Sequence, residues 1–328
     1  AKMRGKTDCL VKVLCVAAAE TGRLAEAAEK MIEKKKRGDF MKQWIAMLAA
    51  GTVLTTSSMA LAAEPVKFSG DVTVKYEKDT AEGADDVAGT MSSVRLKGEA
   101  DLGKGWSLYA RFGAQHATQP GLADYNTDPA VYGDKKSVMA IDQFGFTRQA
   151  GDMTLKIGRQ DVTVGTTALL YSRSESNIGK RAFVDGITAT GTMGEVDVTA
   201  AFVQEDNAGE QDNRVYAIRT GFQKEKPFQW GMTLGRYQDS SAGSTNHWAL
   251  DGTYTAGKHT WTAEYTQSNR SNDNRAYAVT WEYGFDDKTA VYLTGFRVET
   301  NGDMGQQSDF DNNNRGLYYG IKHQLSKN

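Results

Sequence analysis

Apolar and polar positions alternate at every second residue along most of this sequence. The stretch RAYAVTWEYGF (275–285) is a clear case, because small or polar residues occupy one edge and four large side chains occupy the other: Tyr277, Val279, Trp281 and Tyr283. Successive side chains of a β-strand point to opposite faces of a sheet. The stretch is therefore predicted to be a strand with one wide aromatic face.

The same period recurs from Val66 to near the end of the chain, in segments of about ten residues each. The predicted strands span 66–77, 91–102, 105–117, 137–149, 152–161, 183–191, 195–204, 214–224, 228–238, 246–255, 259–268, 275–285, 289–299 and 315–325. Proline cannot donate a hydrogen bond to a sheet, and the four prolines fall outside or at the edges of these spans. The proline positions therefore support the strand assignment.

The connections alternate between short turns and longer polar loops. GKG (103–105) and AGK (256–258) are short, whereas 118–136 and 299–314 are long. This alternation is typical of outer-membrane barrels, whose short turns face the periplasm. A closed barrel satisfies its backbone hydrogen bonds in lipid, and acyl chains cover its apolar face. We therefore predict an all-β fold in the bacterial outer membrane: a transmembrane antiparallel up-and-down β-barrel of about 14 strands, with 16 as the alternative.

The segment before the first strand has the organisation of a secretory signal peptide. Lys42 precedes a short apolar run, and Ala60 and Ala62 form an A-x-A cleavage site. The run is about half of the ~20 residues that a membrane-spanning helix needs. We expect cleavage after Ala62. The predicted division is an N-terminal extension upstream of the true start (1–40), a cleaved signal peptide (41–62) and the barrel (63–328).

Composition narrows the function. The formal charge of -2 gives no basis for nucleic-acid binding. Cys9 and Cys15 both precede the signal peptide, so the exported part has no thiol for a disulfide or a metal site. The four histidines are scattered, with no HExxH or GxSxG motif, and neither a cofactor nor an enzyme activity is expected. Two alternatives stay open: an outer-membrane barrel enzyme such as a lipid hydrolase, and a soluble secreted β-rich binding protein.

Two stretches resemble the general bacterial porins of the outer membrane. GDMTLKIGRQDV (151–162) is similar to the strand that leads into their constriction loop, and GLYYGIKHQL (316–325) is similar to their final strand. The resemblance implies a passive diffusion channel for ions and small hydrophilic solutes, usually a homotrimer, surrounded by outer-membrane lipid and lipopolysaccharide. It also implies that the third long loop, here near 162–182, folds inward and narrows the pore. Such porins usually end in Phe, whereas this chain ends HQLSKN.

If the apolar edges face lipid, the opposite edges line the pore. The predicted wall residues are Arg95, Lys97, Glu99, Arg111, Lys156, Arg219, Glu264 and Glu282, and Arg297 and Lys322 receive the same assignment. The constriction loop adds Arg173, Glu175, Lys180 and Arg181. Rings of charge set ion preference in pores, so this loop predicts a weak anion preference. The remaining acidic residues, including Glu205 and Asp303, are expected in solvated outer loops.

Overall fold

The structure, a computed structural model, describes residues 65–79, 87–119, 135–207 and 212–324. The predicted extension (1–40) and signal peptide (41–62) lie outside these ranges. Within the described ranges, no helix combines the length and the apolar character that a membrane crossing requires.

The described residues form sixteen β-strands and one short 3₁₀-helix, Lys180–Ala182. The strands are β1 (Lys67–Asp79), β2 (Val87–Gly103), β3 (Trp106–Ala117), β4 (Ser137–Ala150), β5 (Met153–Gln160), β6 (Val162–Val164), β7 (Tyr171–Arg173), β8 (Val184–Met193), β9 (Val196–Glu205), β10 (Arg214–Phe222), β11 (Phe228–Asp239), β12 (Gly243–Ala256), β13 (His259–Ser268), β14 (Arg275–Gly284), β15 (Thr289–Val298) and β16 (Asn314–His323).

Fourteen of these strands form one antiparallel sheet in which neighbours in sequence are neighbours in space. The prediction of about 14 strands is confirmed, and most strand ends lie within about two residues of the predicted spans. The sheet passes directly from β5 to β8, because β6 and β7 pair only with each other as a separate hairpin. These two strands have three residues each. They are too short to show a two-residue period, so the sequence did not predict them.

The short turns are built at one end of the sheet. The turn between β2 and β3 consists of Gly103, Lys104 and Gly105, whose φ angles are 80°, 55° and 75°. Glycine adopts positive φ without the steric cost of a Cβ atom, which explains its presence at two of the three positions. The opposite end carries the long connections, including 161–183 between β5 and β8 and 299–313 between β15 and β16.

The two faces of the sheet differ as the alternation predicts. On β14, Tyr277 is 46% exposed and Val279 is 43% exposed, whereas Ala276 and Ala278 are fully buried. The exposed face also carries an aromatic band near the short turns, where the rings of Trp261 and Trp281 lie 6.2 Å apart. Aromatic girdles at this level are typical of membrane barrels. The outward position of the aromatic edge is therefore confirmed.

One irregularity changes which side chains point inward. The register between β3 and β4 shifts at Arg111 and Phe112, which pair with Gln143 and Ile141. Asp142 is the extra residue of this β-bulge, and both Asp142 and Gln143 are buried, at 0% and 3% exposure. Strict alternation would have directed Asp142 outward, so the bulge adds a carboxylate to the interior.

Candidate functional site: the barrel interior and two inward loops

The connection between β5 and β8 folds inside the sheet, and its hairpin β6–β7 packs on one part of the wall. Four hairpin residues are at most 5% exposed: Val162, Val164, Leu170 and Tyr171. They form one apolar cluster with wall residues of β8, β9, β10, β11 and β12, namely Val184, Ala201, Val203, Val215, Tyr237 and Ala249. Removal of these surfaces from water fixes the hairpin against the wall.

Beyond β6 the loop is bound to β12 and β13. The Glu264 carboxylate of β13 accepts hydrogen bonds from the backbone N–H groups of Thr166 and Thr167, at 2.9 and 2.7 Å. Asp251 of β12 accepts the Thr166 hydroxyl and pairs with Arg219. In sheet order β13 is distant from β5, where the loop begins. One loop can reach both strands because the sheet is rolled and the loop runs through its interior.

The loop tip is bound to β2, β3 and β4. The Arg111 guanidinium forms a two-pronged ion pair with Asp142, with N···O distances of 2.8 and 2.9 Å, and donates to the carbonyls of Glu175 and Asn177. Both side chains of the pair are at most 6% exposed. Arg95 also donates to the Glu175 carbonyl, at 3.3 Å. Arg95, Arg111 and Glu175 were predicted from sequence and lie together here.

A second connection, 299–313 between β15 and β16, also folds inward and joins the first. Backbone hydrogen bonds link Met304 N to Leu170 O at 2.8 Å, Ser172 N to Gln307 O at 2.6 Å, and Asp309 N to Ala168 O at 3.1 Å. Met304 is fully buried in the apolar cluster of the hairpin. The sequence did not predict this contact, since the segment is polar and Met304 is its single large apolar residue before Phe310.

Two acidic residues that were expected in solvated loops are buried instead. Glu205 is 1% exposed and accepts hydrogen bonds from the hydroxyls of Tyr171 and Tyr237, at 3.0 and 3.1 Å. Asp303 is 3% exposed and accepts from the Asn312 amide at 2.8 Å. Burial disfavours the charged carboxylate and raises the pKa of Asp303 to about 6. The expectation that these two acids are solvated was wrong, because the first inward loop covers Glu205 and the second loop folds inward together with Asp303.

The remaining predicted residues lie mostly in ion pairs. Five pairs include them: Lys97 with Glu99, Lys156 with Asp161, Arg173 with Glu205, Arg219 with Asp251, and Lys322 with Glu282. Arg173 is only 4% exposed and also donates to the Arg181 carbonyl. The side chain of Lys180 lies outside the described part of the structure. Most of the basic charge in the interior is therefore compensated by a neighbouring carboxylate.

Arg297 is not a wall residue of the interior. It pairs across the sheet with Tyr277, on the same outward face as Val279 and Leu293. The assignment of Arg297 to the lumen was therefore wrong. Arg297 lies at the end of β15 beside the long loops, where an outward side chain meets the membrane surface instead of acyl chains. A charged residue at this level can point outward, so its charge alone did not indicate an inward position.

A cavity of about 280 Å³ separates the hairpin from β9 and β10. Its lining is mixed, with Thr163, Thr166 and Arg219 supplying polar groups and Ala201 and Ala217 supplying apolar ones. The cavity shows that the loop does not fill the interior completely, even on the side where the hairpin packs.

A rolled antiparallel sheet with an apolar outer face, a charged interior and an inward loop defines an outer-membrane β-barrel channel. The sequence profile of the Gram-negative porins matches residues 46–328, and the chain belongs to this family. It is accordingly a porin of the bacterial outer membrane. No curated protein matches the chain.

Solved porin structures are also similar to this chain. A variant of the Rhodopseudomonas blastica porin has 13% identity and a TM-score of 0.43, and the match covers 79% of this chain and 99% of that one. Salmonella typhi OmpF, in a complex with daunomycin, has 10% identity and a TM-score of 0.45, with coverage of 78% and 96%.

Proposed function

We propose that this porin is a passive diffusion channel for ions and small hydrophilic solutes, whose narrowest passage is formed jointly by residues 161–183 and 299–313. The observation that carries this proposal is the attachment of the first loop on opposite parts of the wall, at Glu264 and at Arg111. A loop bound at both places crosses the interior and reduces its cross-section.

The open part of the passage lies beside β1 and β2. Asp71, Lys97 and Glu99 project inward from these strands, and their side chains are between 36% and 49% exposed. By contrast, the wall from β8 to β12 is covered by the hairpin and by Met304, and the inner face of β14 and β15 is covered by Leu169 and Phe310. Solutes then pass between the loop tip and a wall that carries both signs of charge.

Single-channel recording in a planar bilayer tests the joint constriction. Deletion of 166–176 removes the first loop from the interior, and deletion of 302–311 removes the second. We expect each deletion to raise conductance, and the double deletion to raise it further. A shortened 240–242 connection serves as a control, because it joins β11 to β12 at the same end of the sheet. Unchanged conductance in both single deletions would contradict the proposal.

The ion preference rests on charges that contact water. Buried Arg173 is paired with Glu205, so Arg173 is not expected to contribute to the weak anion preference. We expect Lys180→Gln with Arg181→Gln to shift the reversal potential in a salt gradient toward cations. If the potential does not move, selectivity is set by Arg95 and Lys97 on the wall.

Further parts of the proposal concern assembly and export. The homotrimer, the surrounding lipopolysaccharide and the absence of catalysis follow from the porin resemblance, and cross-linking of membrane preparations tests the trimer. The division into extension (1–40), signal peptide (41–62) and barrel (63–328) rests on the cleavage site at Ala60 and Ala62. N-terminal sequencing of protein from the outer membrane should give Ala63 as the first residue.

A further inference from the structure

The inward face of β16 alternates glycine with larger residues. Gly316, Tyr318, Gly320 and Lys322 occupy successive inward positions, in order from the loop end to the turn end. The parity is inward because Gly316 pairs with the buried Phe296 of β15. A glycine leaves the wall open above its backbone, so a ring from the neighbouring strand can lie over it.

Two rings of β15 lie over these glycines. A Cβ atom on Gly316 would come within 3.1 Å of the Phe296 ring, and one on Gly320 within 2.8 Å of the Tyr292 ring. Tyr318 occupies the row between them, and its ring centroid is 4.7 Å from that of Phe296. Successive inward rows of a strand are about 7 Å apart. Phe296, Tyr318 and Tyr292 therefore form an aromatic strip along the wall.

The strip is covered at its loop end and open below. Phe310 of the second inward loop packs on Phe296, with ring centroids 5.1 Å apart, and Phe296 is only 5% exposed. Tyr318 is 38% exposed, and Tyr292 is also partly exposed. These two tyrosines present ring surface to the interior of the channel, where no charge of their own accompanies it.

Polar groups without net charge border the open part of the strip. Lys322 and Glu282 form an ion pair at 2.7 Å, and the Lys322 ammonium lies 5.2 Å from the centre of the Tyr292 ring. The hydroxyls of Thr294 and Thr280 lie 2.8 Å apart in the row of Tyr318. Because the ion pair is internally balanced, the border offers hydrogen bonds more than attraction to a charged solute.

A neutral pyranose sugar has the matching chemistry. Its ring presents C–H groups on its faces and hydroxyls around its edge. The C–H face packs on an aromatic ring, where removal of apolar surface from water is favourable. The hydroxyls both donate and accept, as the carboxylate, ammonium and threonine groups of the border require. A purely aromatic solute would stack on the rings and leave this border unused.

We propose that the aromatic strip is a sugar-binding surface of the channel, on which pyranose rings stack against Tyr318 and Tyr292 and donate hydrogen bonds to the Glu282 carboxylate. This inference rests on the proposed diffusion channel and specifies one class of its solutes. Conduction requires binding that is favourable enough to admit a solute and weak enough to release it, and an open strip of two rings meets both conditions.

Ion current through single channels in a planar bilayer, recorded at increasing cellobiose concentration, tests the surface. Each current is divided by the conductivity of the same solution, which removes the effect of sugar on the bulk. Bound sugar obstructs the ions, so we expect a saturable fall in current. Tyr318→Leu with Tyr292→Leu keeps apolar side chains but removes the flat rings. The concentration that blocks half of the current should rise about tenfold in this variant.

Two further variants separate the strip from general effects of substitution. Tyr277→Leu with Tyr319→Leu removes two tyrosines from the outward face, where they are 46% and 80% exposed, and should leave the sugar block unchanged. Gly320→Ala keeps every ring, but its Cβ atom displaces the Tyr292 ring from the wall. We expect this variant to weaken the block by less than the double substitution in the strip.

Two comparison solutes define the ligand class. Sorbitol has the hydroxyls of glucose on an open chain without a ring face, and nicotinamide is neutral, planar and aromatic. At equal concentration we expect glucose to block more strongly than either of them. Equal blocking by glucose and sorbitol would show obstruction by volume alone, and stronger blocking by nicotinamide would assign the strip to aromatic solutes. Either result overturns the proposal.

The variants can overturn it as well. An unchanged half-blocking concentration after the Tyr318 and Tyr292 substitutions would place any sugar site elsewhere, and an equal rise in the outward control would show a non-specific effect. Channels that conduct normally without a saturable sugar block refute this inference alone. Absent conductance in the unmodified protein refutes the proposed channel itself.

Discussion

The two ends of the constriction loop are held by different forces. The hairpin end, 162–171, is held mainly by an apolar cluster that includes Leu170 and Tyr171, with Glu264 accepting hydrogen bonds from Thr166 and Thr167. The tip, 175–179, is held by guanidinium groups that donate to backbone carbonyls, and by the buried pair of Arg111 and Asp142. Apolar packing is non-directional, whereas hydrogen bonds weaken steeply with distance and angle. The tip can therefore be released by one substitution while the hairpin stays in place.

The largest effect is expected for Arg111→Met. The substitution leaves Asp142 buried without its partner, which costs about 3–5 kcal/mol. It also loosens the tip, because the Asn177 carbonyl loses its donor and the Glu175 carbonyl keeps only the 3.3 Å hydrogen bond from Arg95. We expect a lower thermal unfolding midpoint and a higher single-channel conductance.

The double variant Arg111→Met with Asp142→Leu separates these two effects. Replacing both members of a buried pair by apolar groups is often close to neutral, so stability should recover while conductance stays raised. A single Arg111→Met variant with unchanged conductance would contradict the assignment of the tip to the constriction.

Leu170→Ala should give the converse result at the hairpin end. Loss of a buried leucine costs about 2–5 kcal/mol through the transfer and cavity terms. The tip contacts remain, and Leu170 keeps its backbone bond to Met304. We expect a clear fall in the unfolding midpoint with a conductance change smaller than that of Arg111→Met. A conductance rise of the same size would show that the two ends do not act separately.

Asp303 makes the packing of residues 299–313 against the hairpin dependent on pH. Burial raises the pKa of Asp303 from 3.8 to about 6, so the packed loop favours the neutral carboxyl. Protonation of Asp303 stabilises the packed loop by roughly 3 kcal/mol at most. This stabilisation is complete below pH 3.8 and is lost as the pH rises through about 6. Residues 299–313 should then pack more tightly at pH 5 than at pH 7.5, and conductance should be lower at pH 5.

Asp303→Asn is the control for this pH response. The amide is neutral at every pH, so the variant should keep the low conductance of the acidic state at pH 7.5. If conductance still changes between pH 5 and pH 7.5 in this variant, another group is responsible.

The smallest effect is expected for Arg95→Gln. Arg95 shares the Glu175 carbonyl with Arg111, but its ion pair with Asp71 is partly exposed, at 19% and 49% for the two side chains. Pairs of this kind contribute about 0–1 kcal/mol and are screened by salt. We expect an unchanged unfolding midpoint and a slight rise in conductance. A destabilisation as large as that of Arg111→Met would mean that the tip is held by the two arginines equally.

The positions of the fourteen sheet strands could be predicted from the sequence, because each strand repeats a two-residue period. This period identifies the two faces of a strand from the strand's own residues, without knowledge of its neighbours. The interior could be predicted only in part. Asp142 points inward because of one extra residue in a bulge, and a shift of one residue reverses the face. Glu205, Asp303 and Met304 are buried by loops from other parts of the chain, and a local pattern does not encode such contacts.

The anchor between Thr166 and Glu264 joins residues 98 positions apart. The docking site on Glu264 exists only once β13 has joined the sheet, so the loop cannot be anchored there earlier. Contacts between distant parts of a chain form slowly, because closing the long segment between the two residues costs conformational entropy. This cost is offset only when the contact itself has formed. The channel should accordingly pass through an assembly stage in which the sheet is nearly complete and its interior is still unobstructed.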